Sequence, residues 1–258
     1  MRDTQNISYQ IRDMFLKKPR RNQYRVFKNN FEWMKPYIRP DDHILELGCS
    51  HGLSREFLRY PNLVLSDVEK YPWSDEIQDA QKIDRPDNSL DIVFSHSILH
   101  HLSYPALALQ EIQRVLKPGG YYLVQDVKAS RLFRLLLSIT KIEEINDSAD
   151  PYDLTTPACG DSPWEGNNAI VDLMMKRPDK LKAACPELEL LEWHHVQCLL
   201  VMNSGGLTSF FPYIPLTDGL LTVVERVDRA LCGGFPNVFA LQQRMVFRKK
   251  VVAAGSRA

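Results

Sequence analysis

Residues 44–52 read Ile-Leu-Glu-Leu-Gly-Cys-Ser-His-Gly, and this short stretch decides the fold. Ile44, Leu45 and Leu47 have the apolar character of a buried strand, and Gly48 and Gly52 then end the run. Small Ser50 stands between the glycines, and acidic Glu46 sits just ahead of the first. A glycine-rich turn after a first strand lets a ligand come close to the backbone, because no Cβ stands in the way. The same turn can serve a purely structural end, so its surroundings carry the argument.

Outward from this turn, the chain alternates between strand and helix patterns. Pro40-Asp41-Asp42 is a turn, residues 43–47 a first strand and residues 53–60 a helix. Residues 62–66 form a second strand that ends at Asp67. Pro72 and Trp73 lie between Asp67 and Asp79, where a full helix does not fit, so the next crossover is expected to be short or irregular. Asp87-Asn88-Ser89 turns into a strand over 90–95. Leu107, Leu109, Ile112, Val115 and Leu116 give 106–116 helical spacing, and Lys117-Pro118-Gly119-Gly120 ends that helix. Residues 121–127 are a further strand. Such alternation predicts a mostly parallel sheet covered by helices on both faces.

Either side of this core the pattern changes. Residues 7–38 read as two helices interrupted near Pro19, with Ile11, Met14 and Phe15, then Tyr24, Phe27, Phe31 and Met34, on apolar faces. Lys17, Lys18, Arg20, Arg21, Arg25 and Lys28 lie among them; they read as a solvated face or as a contact for phosphate or an anionic membrane surface. Downstream, 131–142 is helical, 143–168 polar and irregular, and 169–184 helical. Residues 188–202 and 238–249 read as strands flanking an insert at 207–231.

The 258 residues suffice for one α/β domain with added segments, and 44% apolar with 25% charged residues describes an ordinary globular chain. Lys+Arg and Asp+Glu both total 32, so no global charge draws it to nucleic acid. Cys49, Cys159, Cys185, Cys198 and Cys232 are widely spaced, which predicts reduced thiols in a cytoplasmic protein and no zinc framework. No apolar run is long enough for a membrane span, and the polar start has no secretory pattern.

Taken together, residues 46–127 resemble the type 11 group of class I S-adenosylmethionine (SAM) dependent methyltransferases. The match rests on the glycine turn, Asp67, Asp79-Ala80, Asp87-Asn88-Ser89-Leu90-Asp91, His100-His101-Leu102 and Glu111-x-x-Arg114-Val115-Leu116-Lys117-Pro118-Gly119-Gly120. Ser50 replaces the middle glycine of the family's loop. The resemblance implies a Rossmann-like sheet, mostly parallel with an antiparallel last strand. It also implies one methyltransferase domain over 1–258: a helical lid at 1–40, a SAM-binding core at 41–128, and acceptor-side inserts with the last strands at 129–258.

It implies roles as well. Asp67 would accept the ribose hydroxyls, with Glu69 as its rival; Asp79 would take the adenine amino group, with Ala80 at the ring edge. Gly48, Ser50 and Gly52 would admit the methionine portion, Glu46 would organise the loop or the amino group, and Ser95 and His96 fall where the family's backbone contacts the tail. Methyl transfer gains most from alignment, and a hydroxyl acceptor must also lose a proton. His100 and His101 are the candidates for that step. The expected acceptor is a small molecule, through an oxygen of a saccharide, lipid-linked or natural-product substrate, with peripheral contact to a membrane or lipid-linked substrate as one form. Trp164, Phe210, Phe211 and Tyr213 are candidate acceptor walls, and Asp153, Asp161 and Glu165 candidate polar partners.

Rival readings are an RNA or protein methyltransferase using the basic N-terminal segment, or a SAM-binding scaffold without catalysis. A dinucleotide enzyme is disfavoured, since Glu46–Gly52 lacks Gly-x-Gly-x-x-Gly. His194-His195 are read as core or substrate-wall histidines. No metal site is expected there, because Glu192 and Cys198 on one strand stand roughly 20 Å apart.

Overall fold

The computed structural model describes residues 4–141, 143–160, 165–206 and 213–251. A seven-stranded sheet runs in the order β3-β2-β1-β4-β5-β7-β6. Its strands are β1 (Ile44–Leu47), β2 (Leu63–Asp67), β3 (Glu76–Ile77), β4 (Leu90–His96), β5 (Leu116–Val127), β6 (Leu188–Val196) and β7 (Gln242–Lys249). The first five are parallel, and β7 runs antiparallel to both β5 and β6. The expected mostly parallel sheet with an antiparallel last strand is therefore present.

The helices are α1 (Thr4–Lys17), α2 (Arg21–Glu32), α3 (Ser54–Phe57), α4 (Pro105–Val115), α5 (Arg131–Thr140), α6 (Ile170–Met175), α7 (Pro178–Ala184), α8 (Leu199–Met202), α9 (Asp218–Gly234) and α10 (Pro236–Phe239). Two apolar layers enclose the sheet. On one side Ile11, Phe15, Phe27, Phe31 and Met34 pack over Ile44, Leu65, Ile92 and Phe94; on the other, Leu109, Ile112 and Val115 cover Leu45, Val93 and Tyr122. None of the described helices is long and apolar enough to cross a membrane. The five cysteines form no disulfide, and four of them are buried.

Several boundaries differ from the sequence reading. The helix expected at 53–60 shrinks to α3, and that expected over 169–184 splits into α6 and α7 at Pro178, whose ring fits the first turn of a helix and not its middle. The segment 117–120 does end α4, yet it already belongs to β5, with Gly119 at φ +87°. The strand expected over 188–202 stops at Val196. Gln197 has φ +64°, and α8 follows because Asp228 accepts the N–H groups of Cys198, Leu199 and Leu200. Likewise, α9 fills part of the insert, and α10 precedes β7 where one strand was expected from 238.

The basic segment is not simply solvated. Arg20 donates to the Gly205 carbonyl and Arg21 to that of Leu216, and Arg25 pairs with Glu225 and Asp218.

Candidate functional site

The parallel register brings the ends of β1, β2, β3 and β4 to one edge, where the sheet order reverses between β1 and β4. Ligands of open α/β sheets settle in the crevice outside such carboxyl ends. Gly48, Ser50 and Gly52 form the turn after β1, at φ +76°, +41° and +61°. Two of these positions need glycine for a second reason. A Cβ on Gly48 would lie 2.2 Å from Ile98, and one on Gly52 2.2 Å from the Trp73 ring.

Asp67, at the end of β2, closes the turn. Its Oδ2 accepts the Ser50 N–H at 2.8 Å and its Oδ1 the Glu69 N–H at 3.2 Å. Burial raises its pKa, partly opposed by those backbone donors. A carboxylate offers about four lone-pair directions, so each oxygen retains acceptor capacity for a hydroxyl. Asp79 follows β3; it is exposed, and its Oδ1 caps the turn through the Gln81 N–H at 2.8 Å, while Ala80 beside it is buried.

Glu46 takes a different place from the loop edge. Its buried carboxyl accepts from the Ser54 hydroxyl and ties β1 to α3, and burial, with Asp67 nearby, pushes its pKa up to about 8. The Ser95 side chain is also turned inward, onto the Tyr122 hydroxyl at 2.7 Å. His96 packs on Phe31, and burial lowers its pKa to about 4.

α1 and Trp73 cover the turn, contacts that no sequence motif announces. The hydroxyls of Ser8 and Ser50 are 2.8 Å apart, and Arg12 donates to the carbonyls of His51 and Gly52 at 3.0 and 3.2 Å. Trp73 donates its indole N–H to the Ser50 carbonyl at 2.7 Å. The turn's backbone freedom, the acids at the ends of β2 and β3, and the crevice position together fit SAM.

Beyond β4, a single 3₁₀ turn, Leu99–His101, carries the histidine pair. Asp126 near the end of β5 is fully buried and holds Nδ1 of His100 at 2.5 Å while accepting the N–H groups of Leu99 and Val127. Burial would lower the pKa of His100, but the Asp126 carboxylate, helped by Glu143, raises it. The other ring nitrogen, Nε2, lies 3.8 Å from Glu143 Oε2. His101 differs: burial and the neighbouring His100 drop its pKa to about 3. Asp126 was legible as the one acid inside an apolar strand pattern, whereas nothing local marks Glu143.

Glu143 begins one wall of a cleft of about 500 Å³, also lined by Ala158, Cys159, Glu165, Gly166 and Asn167. Thus Glu165 does line a cavity, while Asp153 is exposed and caps its own turn at Thr155. Tyr213 packs instead under Arg20. Asp161, Trp164, Phe210 and Phe211 lie outside the described residues. His194 is neither core nor wall: on edge strand β6 it is exposed and pairs with Glu192 at 2.9 Å, while His195 leans on Trp193.

Residues 45–124 match the model of the methyltransferase domain family. An uncharacterized methyltransferase of Schizosaccharomyces pombe is 33% identical over 114 residues, covering 34% of this chain and 41% of that protein. The chain spans less than half the length of the curated relatives it matches. Two solved structures share the fold. One is a chain from the complex between the Haloferax volcanii Trm112 methyltransferase activator and a methyltransferase, with TM-score 0.52, 13% identity and 96% coverage of both chains. The other is a SAM-dependent methyltransferase from Archaeoglobus fulgidus, with TM-score 0.51, 14% identity and coverage of 88% of this chain and 94% of that one. The matched core, residues 45–124, and the sheet that carries it support a class I SAM-dependent methyltransferase.

Proposed function

We propose that the chain transfers a methyl group from SAM to an oxygen of a small hydroxylated acceptor, of the saccharide, lipid-linked or natural-product kind. The observation that carries this reading is the sheet edge that holds a left-handed glycine turn and two strand-end acids, with an imidazole–carboxylate cluster just beyond β4. Bound SAM supplies a methyl group on a sulfonium. Gly48, Ser50 and Gly52 admit its amino-acid portion, the remaining lone pairs of Asp67 take the ribose hydroxyls, and Asp79 with the Ala80 backbone faces the adenine. Ser95 and His96 serve through their backbone at the end of β4, since the Ser95 side chain is already engaged.

On the acceptor side, Glu143 lines the cleft and lies 3.8 Å from His100 Nε2 behind it, and Asp126 fixes the tautomer that leaves Nε2 available. These groups handle the proton that a hydroxyl acceptor sheds. His101, with its depressed pKa, is a weaker base than His100. Equal numbers of acidic and basic residues, and the engagement of Arg20, Arg21 and Arg25 within the fold, disfavour a nucleic-acid substrate.

Asp67→Ala is expected to weaken SAM binding at least ten-fold in a calorimetric titration while the circular dichroism stays unchanged. Unaltered affinity would remove the ribose assignment. Incubation with methyl-labelled SAM and fractionated host extract then names the acceptor class, and label confined to RNA or protein would favour the rival substrates.

A further inference from the structure

We propose that His100, His101 and Glu143 form a binding site for one divalent cation of the zinc class. Each of the three residues offers a ligand atom, and these atoms lie within 4.8 Å of one another. Two ligands about 2.1 Å from one ion stand about 3.4 Å apart at the tetrahedral angle and about 4.2 Å apart when opposite. The His100 Nε2 to Glu143 Oε2 distance, 3.8 Å, falls between these. Glu143 is part-exposed, as is His101, and rotation of the Glu143 side chain would close the remaining spread.

Three independent features point to a ligand. The first is a buried ring nitrogen, Nδ1 of His101, with no hydrogen-bond partner among the described residues. Leaving such a nitrogen unsatisfied is unfavourable, and a bound cation would offset that. The second is the outer shell. Asp126 holds the far nitrogen of His100, and Asn168 donates to Glu143 Oε2 at 2.8 Å, the carboxylate–imidazole and amide–carboxylate supports that orient metal ligands. The third is close approach: a Cβ on Gly166 would lie 2.8 Å from Nδ1 of His101 and 2.9 Å from the His100 ring, so only a glycine lets the chain lie against both imidazoles without pushing them apart.

Two imidazoles and one carboxylate favour zinc and neighbouring first-row ions over magnesium or calcium, which prefer oxygen ligands. Three protein ligands leave a position open, the arrangement of zinc sites that act on a bound oxygen. Resting on the methyl-transfer reading, that position would take the acceptor hydroxyl; with the cation bound, His100 and Glu143 act through it and not as direct bases, and the proton passes to water more readily once its oxygen is coordinated.

The test uses the chelator-stripped protein titrated with Zn²⁺, and with Mg²⁺ as the contrasting ion, by calorimetry. One equivalent of Zn²⁺ is expected, with little response to Mg²⁺. Glu143→Gln, His101→Ala and Gly166→Ala should each weaken Zn²⁺ binding at least ten-fold, with circular dichroism verifying the fold. Asp67→Ala should leave it unchanged while losing SAM. Absence of a stoichiometric Zn²⁺ site, or affinity indifferent to all three cluster variants, as for an ion held at exposed His194, would overturn the proposal. Because SAM binding is read separately, loss of the cation site and loss of the methyltransferase reading remain distinguishable.

Discussion

Glu46 shows what one buried side chain can contribute to a functional edge. Its position before Gly48 invites a cofactor role, yet its carboxyl is buried and takes the Ser54 hydroxyl, holding α3 behind the glycine turn. Burial holds its pKa at about 8, against 4.5 in the unfolded chain. Between these values the folded state keeps a proton that the unfolded state has released, so its contribution to stability falls as pH rises. One proton corresponds to about 1.4 kcal/mol per pH unit. Glu46→Gln cannot release a proton, so the variant should gain on the wild type by about that amount for each unit between pH 5 and 7. Urea unfolding at three pH values measures the difference, and a flat difference curve would mean that Glu46 is already ionised in the folded protein.

Elements were legible where local pattern and tertiary environment agree. β1, β2, β4 and β5 lie in the parallel sheet and read as apolar runs with turn residues at their ends, so the core and its edge of candidate ligands followed directly. The stretch at 197–202 was misread because its structure is dictated from afar. Cys198-Leu199-Leu200-Val201-Met202 is apolar enough for a strand, but the Asp228 carboxylate gathers three successive N–H groups and starts a helix instead. Glu143 was missed for the same reason, since its meeting with His100 exists only in the folded chain. Asp228→Ala should therefore destabilise the protein by about 3 kcal/mol or more, as buried donors lose a charged acceptor and none replaces it. Chemical denaturation gives the value. A loss under about 1 kcal/mol would indicate that α8 holds without its cap.

At the scale of the molecule, α1 and α2 join regions far apart in sequence. α1 contacts the glycine turn through Ser8 and Arg12, while α2 is anchored to the C-terminal part. The Asn22 amide is fully buried; it donates to the carbonyls of Asn203 and Ile214, both at 2.9 Å, and accepts the Leu216 N–H at 3.2 Å. Gln23 adds a bond to Gly206, and Asn29 and Arg25 reach Glu225 on α9. The apolar side of α2 meanwhile forms part of the layer over β1 and β4. Asn22→Ala deletes three buried hydrogen bonds and should cost about 2–4 kcal/mol. Because α2 belongs to both the sheet layer and the C-terminal anchor, that loss should shift one cooperative transition, seen alike by tryptophan fluorescence and by far-ultraviolet circular dichroism. Separate transitions for the two probes would show that α1 and α2 melt independently of the sheet they pack on.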